Sequence, residues 1–302
     1  MANWNGMSRA TAAVLAIALA LPMPTAAQSL DERIGRLEPG EMREATGVHA
    51  GAGSMQFGVL LGASALSTNL LFVHSGVIAP HSGIGQHFHN KCEEMFVILD
   101  GEAEFTIDGR TSRIAGPAAT PDLLGHAHAI YNPTDKPIRW LNINVGLTKA
   151  YDNFDLGDTR EGAALDPIPQ FIHARFDRAL LKPVEAMNGG TGTVSHRRAL
   201  EPSVFGTSWS YVDHLLIPPG ASVGSAAQAD MSEVLVVMSG AGEVTVDGQT
   251  SSVTMGDAVP IDLGQARAIR QTGTEPLELM VIGVARDLAS KAAFAASQRP
   301  VR

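Results

Sequence analysis

Four side chains of metal-binding type lie close together in the first half of the sequence. His87 and His89 are two residues apart, Glu94 follows after four intervening residues, and His128 lies further along the chain. Because alternate residues of a strand share a face, the two histidines point the same way and a hairpin would return Glu94 beside them. Three imidazoles and one carboxylate suit a single divalent metal ion such as Mn, Fe, Ni, Cu or Zn.

Two further side chains are candidates for catalysis beside this metal. His126 lies two residues before His128 and shares its parity, so it is a candidate acid or base. Tyr131 follows in the same segment. We predict that the pocket wall is mostly apolar, which favours an aromatic or enolic ligand over a bare sugar; its predicted members are Phe96, Ile98, Phe105 and Tyr131.

The elements that would hold these residues are short strands. Runs rich in Val, Ile, Leu and Phe alternate with turn formers at a spacing of about ten residues, which is typical of a β-sandwich or barrel. The Asp-Gly pairs at 108–109 and 247–248 predict tight hairpins. The single cysteine excludes an intramolecular disulfide, and the net charge of -9 argues against a nucleic-acid partner.

An internal repeat organises the chain. At an offset of 139 residues, 94–101 aligns with 233–240, and the two Asp-Gly pairs fall on each other. We therefore predict two copies of one domain, at 50–150 and 200–285. An N-terminal extension (28–49), a connector (151–199) and a C-terminal helix with its tail (286–302) complete the predicted organisation.

The metal-type residues resemble the motifs of the cupin family. The segment His87-x-His89-x4-Glu94-x6-Gly101 resembles the first cupin motif, and Gly125-x2-His128-x3-Asn132 resembles the second. Two positions depart from the pattern: His81 stands where a glycine is expected, and the proline of the second motif lies four residues before Gly125. With the repeat, the chain resembles a bicupin. The resemblance implies two tandem double-stranded β-helix barrels of the jelly-roll type and a structural role for Asn132.

The second copy lacks most of the ligand set. At the same offset, His87 maps to Ala226, His89 to Gln228, Glu94 to Glu233 and His128 to Arg267. An arginine beside a glutamate predicts an ion pair where the metal would otherwise lie. The second domain is therefore predicted to fold without a metal.

The first 27 residues have the pattern of a secretory signal peptide. Arg9 precedes an apolar run, and small residues end the segment at Ala27. The run is too short for a comfortable membrane span. We therefore expect a periplasmic or secreted protein, cleaved after Ala27, with no membrane association afterwards; homo-oligomerisation is left open.

Three functions remain open at this point. The cupin resemblance favours an enzyme with dioxygenase-type chemistry on an enol or aromatic substrate. The first alternative is a redox-neutral isomerase, decarboxylase or lyase acting on a sugar acid or carboxylate, and the second is a non-catalytic cupin that binds a metal or small ligand. No nucleotide fingerprint occurs, so no organic cofactor is expected.

Overall fold

The repeat in the sequence appears in the structure as two barrels with the same strand order. The computed structural model describes residues 28–298, so the predicted signal peptide lies outside the described residues. All pairings between the strands named below are antiparallel, and each barrel is built from two facing sheets. The prediction of an all-β fold with two double-stranded β-helix barrels and a short C-terminal helix is confirmed.

The first barrel contains ten strands, joined at its edges by two short strands of the connector. They are β1 (Arg43–Thr46), β2 (Ser54–Leu61), β3 (Leu70–Ile78), β4 (Ser82–Phe88), β5 (Cys92–Ile98), β6 (Glu102–Ile107), β7 (Arg110–Ala115), β8 (Ala118–Asp122), β9 (Ala127–Asn132), β10 (Ile138–Gly146), β11 (Phe154–Asp155) and β12 (Ala174–Arg175). One sheet has the order β1-β2-β3-β10-β5-β8-β12 and the other β11-β4-β9-β6-β7.

The second barrel repeats this arrangement with ten strands. They are β13 (Lys182–Glu185), β14 (Thr193–Leu200), β15 (Trp209–Ile217), β16 (Ser222–Ala227), β17 (Met231–Ser239), β18 (Ala241–Val246), β19 (Gln249–Thr254), β20 (Ala258–Ile261), β21 (Ala266–Gln271) and β22 (Leu277–Ala285). Its sheets have the orders β13-β14-β15-β22-β17-β20 and β16-β21-β18-β19. Two helices flank the barrels, α1 (Leu30–Arg33) and α2 (Leu288–Ser297), and short 3-10 turns occur at Pro39–Glu41, Val48–Ala50, Arg178–Leu180, Met187–Gly189 and Pro202–Val204.

Turn chemistry fixes the hairpins as the sequence predicts. Asp108 and Gly109 both have positive φ, and so do Asp247 and Gly248, as a two-residue turn between twisted strands requires. His81, which replaces the glycine of the cupin pattern, adopts φ of 50°. The backbone conformation of that position is therefore kept although the glycine is not.

The predicted domain boundaries of both barrels begin too late. β1 pairs with β2, so the first barrel starts at 43 rather than 50, and β13 and β14 place the start of the second at 182 rather than 200. These outer strands were missed because an edge strand has few buried positions and therefore a weak apolar pattern, as the burial of β1 and β13 shows.

The segment 28–49 is also more than an extension of the first barrel. Leu30 and Ile34 are buried in the core of the second barrel, and Gly35 pairs with Ala258 of β20. The chain therefore starts on the second barrel and crosses to the first. Within 28–298, no helix combines the length and apolarity needed to span a bilayer.

A shared core and a buried carboxylate join the two barrels. One apolar cluster contains side chains of both, including Val97 and Ile143 from the first and Val234 and Ile282 from the second. At its margin, the carboxylate of Glu93 on β5 accepts hydrogen bonds from the Gly206 amide (2.7 Å), the Thr207 amide (2.9 Å) and the Thr207 hydroxyl (2.6 Å). The same loop is held from α2, where the Lys291 Nζ donates to the carbonyls of Phe205 and Thr207.

Replacement of this carboxylate should weaken the junction between the barrels. Glu93→Gln turns one acceptor oxygen into a donor facing backbone amides, so we expect a loss of about 2–3 kcal/mol in the free energy of unfolding. Chemical denaturation followed by far-UV circular dichroism measures it. The control Glu102→Gln, on a partly exposed residue of β6, should change stability by less than about 0.5 kcal/mol. Equal stabilities for the two variants would contradict the assigned role of Glu93.

Candidate metal centre

The four predicted ligands meet inside the first barrel. The Oε2 atom of Glu94 lies 3.2 Å from Nε2 of His128, 3.4 Å from Nε2 of His89 and 3.6 Å from Nε2 of His87. All four donor atoms lie within 4.8 Å of one another, and all four residues are buried. This is the crowding expected of groups that converge on one cation.

The strands bring these residues together by register. His87 on β4 is the cross-strand partner of His128 on β9, after an irregularity that follows Ile84. Glu94 comes from β5 in the facing sheet, and His89 directly follows β4. The centre is therefore held between the two sheets of the barrel, with ligands from both.

Backbone carbonyls orient two of the imidazoles. Nδ1 of His87 pairs with the carbonyl of Gly85 at 2.8 Å, and Nδ1 of His89 with the carbonyl of Asp152 at 2.5 Å. In its neutral form each ring therefore carries its proton on Nδ1 and presents Nε2 as a lone pair, the form that binds metals. Nε2 of His89 is buried and has no hydrogen-bond partner. An orphaned nitrogen among three other donors fits a divalent cation.

Two asparagines fix the carboxylate. Nδ2 of Asn142 and Nδ2 of Asn144, both on β10, donate to Oε1 of Glu94 at 2.9 and 3.3 Å. These bonds occupy one oxygen and leave Oε2 facing the three imidazoles. The carboxylate is thus positioned to give the cation a single oxygen.

The titration of the cluster reflects its negative charge. Burial opposes ionisation of Glu94, but the neighbouring imidazoles of His128, His87 and His89 outweigh it and hold the pKa of the carboxyl well below its usual value. Burial opposes the charged form of His89 as well, yet Cys92 and Glu94 raise its pKa to about 11. Burial and the neighbouring His87 lower the pKa of His128 to about 3. Without a metal, the negative charge of Glu94 therefore favours a proton on His89. The same negative charge would attract a metal cation.

A cavity of about 260 Å³ reaches this cluster from the side of His87 and Glu94. Its wall is rich in aromatic side chains, namely Phe57, Phe72, Phe96, Trp140 and Tyr151. Arg43 also lines it, with its guanidinium 4.5 Å from the centre of the Phe57 ring. The cavity thus combines an apolar wall, a cation and the carboxylate of the ligand set.

Sequence reasoning missed a histidine that lines this cavity. His49 lines the wall, stacks on the ring of His87 with centroids 3.8 Å apart, and pairs its Nδ1 with Asp155 Oδ1 at 2.5 Å. Its position on the 3-10 turn Val48–Ala50 lies outside the predicted domain. A search for the repeat further upstream could have found that turn, because Met187–Gly189 matches it at the 139-residue offset.

The predicted catalytic residues lie elsewhere. His126 is half exposed and pairs with Asp108 at 2.6 Å, and the hydroxyl of Tyr131 donates to Glu161 at 3.4 Å. Neither lines the cavity, and neither do Ile98 and Phe105, which are core residues. Tyr131 is three positions from His128 on β9 and so faces the opposite side of the sheet. Of the predicted wall, Phe96 alone is correctly placed.

Asn132 donates hydrogen bonds to the carbonyls of Ala79 and Lys136, which fits a structural role.

The second barrel contains the predicted ion pair in place of a ligand set. Nε of Arg267 lies 2.7 Å from Oε2 of Glu233, and Nη2 lies 3.2 Å from Oε1. Tyr211 and Gln228 also donate to Oε1 of the same carboxylate, at 2.6 and 3.2 Å. The pair is largely buried, so the guanidinium neutralises a carboxylate that would otherwise be stranded.

Comparisons with known proteins agree with this two-barrel architecture. A family model described as "Cupin domain" matches residues 75–144 and 213–283, one segment in each barrel. An oxalate-binding protein of Thermotoga maritima is 25% identical over 99 residues, which is 33% of this chain and 82% of that protein.

Solved structures are similar over most of the chain. An oxalate decarboxylase of Lactobacillus farciminis, in complex with formate, has a TM-score of 0.62 at 14% identity. The match covers 93% of this chain and 96% of the decarboxylase chain. The salicylate 1,2-dioxygenase of Pseudaminobacter salicylatoxidans has a TM-score of 0.60 at 15% identity. The match covers 78% of this chain and 76% of the dioxygenase chain. At these identities the likeness shows the fold alone.

The ligand set predicts the metal content of the protein. One divalent ion should bind per chain, because the second barrel offers an arginine and a glutamine where two imidazoles would be needed. The double variant His87→Ala/His89→Ala should bind none and still fold, since each barrel has its own apolar core. Elemental analysis and circular dichroism measure both results. Two ions per chain would contradict the assignment.

The ion pair of the second barrel predicts a selective loss of stability. Arg267→Ala leaves the buried carboxylate of Glu233 without its cation, so we expect a loss of about 3 kcal/mol in the free energy of unfolding. Arg270→Ala is the matched control: its pair with Glu243 is exposed on the arginine side and should contribute less than about 1 kcal/mol. Metal content should be unchanged in both. Equal losses in the two variants would disprove a special role for Arg267.

Proposed function

Because the chain is a bicupin whose first barrel holds a cluster of three histidines and one glutamate, we propose that it is an exported metal-dependent enzyme. Its proposed reaction is dioxygenase-type oxidation of a small aromatic or enolic carboxylate. The observation that carries this proposal is the aromatic cavity with a cationic group that leads to His87 and Glu94.

The size and wall of the cavity support a ring-shaped substrate. An apolar cavity of about 150 Å³ is enough for a benzene molecule in other proteins, so about 260 Å³ accommodates one substituted ring. Trp140 and three phenylalanines offer faces and edges for stacking. A molecule made only of carboxylates would bury no apolar surface against them.

Arg43 supports a carboxylate on that substrate. Arg43 is an exposed residue of β1 whose guanidinium lies against the face of Phe57, and within residues 28–298 it makes no ion pair. A guanidinium with unused donors binds a carboxylate through two parallel hydrogen bonds. Arg43 would therefore anchor the acid group and direct the ring towards the ligand cluster.

A divalent metal at the four ligands would supply Lewis acidity and orient an oxygen-bearing substrate. The chain's own contribution is the placement of groups around that substrate. The Nδ1–H of His49 donates to Asp155, which leaves Nε2 as an acceptor for an enol or phenol hydroxyl. Tyr151 and Phe72 pack together with ring centroids 5.7 Å apart and form part of the cavity wall.

Redox-neutral chemistry on a carboxylate is the second candidate. Arg43 favours it equally, and the sequence similarity to an oxalate-binding protein supports a carboxylate ligand. The aromatic wall favours the first candidate. Export is part of the proposal on the strength of the signal-peptide pattern in 1–27.

Oxygen uptake by metal-loaded protein tests the reaction. The protein is loaded separately with Fe(II) and Mn(II) and assayed on hydroxybenzoates, catechols, enols and keto acids. We expect Arg43→Leu to raise KM for a carboxylate substrate roughly 10–100-fold, since one charge-assisted hydrogen-bond pair is lost. Uncharged analogues should be affected little. Arg110→Leu, which breaks an exposed pair with Asp166, is the control and should leave both unchanged.

Three results decide between the candidate functions. Oxygen consumption coupled to substrate loss supports the dioxygenase proposal. Substrate loss without oxygen consumption contradicts it and selects the redox-neutral alternative. Tight binding with no turnover by either metal form contradicts both and identifies a ligand-binding cupin.

A further inference from the structure

We infer that Asp122 is a second carboxylate of the metal centre, which balances the charge of a bound divalent cation. Asp122 ends β8 and its side chain is completely buried. Neither of its carboxylate oxygens has a hydrogen-bond partner. Such a group is stable as an anion only beside a positive charge, because burial of an unpaired ion is strongly unfavourable.

The register of the sheet aims Asp122 at the cluster. Asp122 is the cross-strand partner of Glu94, so the two side chains lie on the same face of the sheet. Oδ2 of Asp122 is 3.8 Å from Nε2 of His128, the nitrogen that Glu94 approaches at 3.2 Å. One ring nitrogen therefore has both carboxylates as neighbours.

Charge counting explains why a second acid belongs there. Three neutral imidazoles and Glu94 carry a charge of minus one, so a divalent ion would leave a net positive charge in a buried site. The carboxylate of Asp122 brings the sum to zero. Asp122 is outside the group of donors that all lie within 4.8 Å of one another. Its role is therefore to compensate charge and not to form a ligand bond.

The second barrel offers an internal comparison. Ile261 is the cross-strand partner of Glu233, so it occupies the place that Asp122 has beside Glu94. There the single carboxylate is already neutralised by Arg267. The acid is thus present in the barrel that can take two positive charges and absent from the one that holds a single positive charge. Both centres are neutral when the first contains a divalent ion.

This inference depends on the metal site of the proposed function, and metal affinity tests it without an activity assay. The probe is Mn(II) alone, with affinity measured by chelator competition and the melting temperature measured on metal-free protein. Asp122→Asn keeps the shape, and Asp122→Ile copies the second barrel. We expect both to lower Mn(II) affinity roughly 10–100-fold. Neither should lower the melting temperature of metal-free protein, because an unpaired buried acid is removed.

The outcomes separate this inference from the proposed function. Asp135→Asn, a change of the same charge on an exposed residue, should leave affinity unaltered. If the wild type binds Mn(II) and the Asp122 variants bind it equally well, the inference is wrong and the metal site stands. If metal-free Asp122 variants melt well below the wild type or fail to fold, the residue is structural and the inference is also wrong. If the wild type binds no divalent metal, both proposals fall.

Discussion

Two adjacent buried carboxylates on β5 serve the metal centre and the junction between the two barrels. Strand alternation sends Glu94 into the first barrel and Glu93 out towards the second. Glu94 accepts hydrogen bonds from asparagines and faces the imidazoles. Glu93 accepts hydrogen bonds from the backbone amides of the loop at 206–207. Because the two share a strand, the position of the metal centre and the docking of the barrels are mechanically linked.

The two barrels solve the same electrostatic problem in different ways. Each buries a glutamate at the corresponding position, Glu94 on β5 and Glu233 on β17, and a carboxylate that is ionised there requires a compensating charge. The first barrel leaves room for an external cation among neutral imidazoles. The second supplies a permanent cation from Arg267 and adds hydrogen bonds from Tyr211 and Gln228 to the carboxylate of Glu233. The barrel that contains its own cation gains independence from metal supply, and it loses the open coordination positions that chemistry requires.

The sequence predicted the metal cluster because its geometry is local. Alternation along β4 and the hairpin to β5 fix His87, His89 and Glu94 relative to one another, and a family motif adds His128. Residues delivered by other elements were beyond that reasoning: Arg43 comes from an edge strand with little apolar pattern, and Tyr151 comes from the connector. His126 was misjudged because strand parity does not extend into a turn, where Asp108 draws the ring outward. The all-β class and the two copies followed from turn spacing and the repeat, and the type of barrel followed from the cupin resemblance. The boundaries depended on pairings at sheet edges.

The connector between the barrels is part of the metal centre, which sets a limit on how the protein can be divided. Asp152 supplies the carbonyl that holds His89, Asp155 holds His49, and β11 pairs with β4 beside His87. A fragment cut at the apparent end of the first barrel, after residue 150, would keep all four ligands and lose the groups that orient two rings. A minimal metal-binding fragment of this chain has to extend at least through β11.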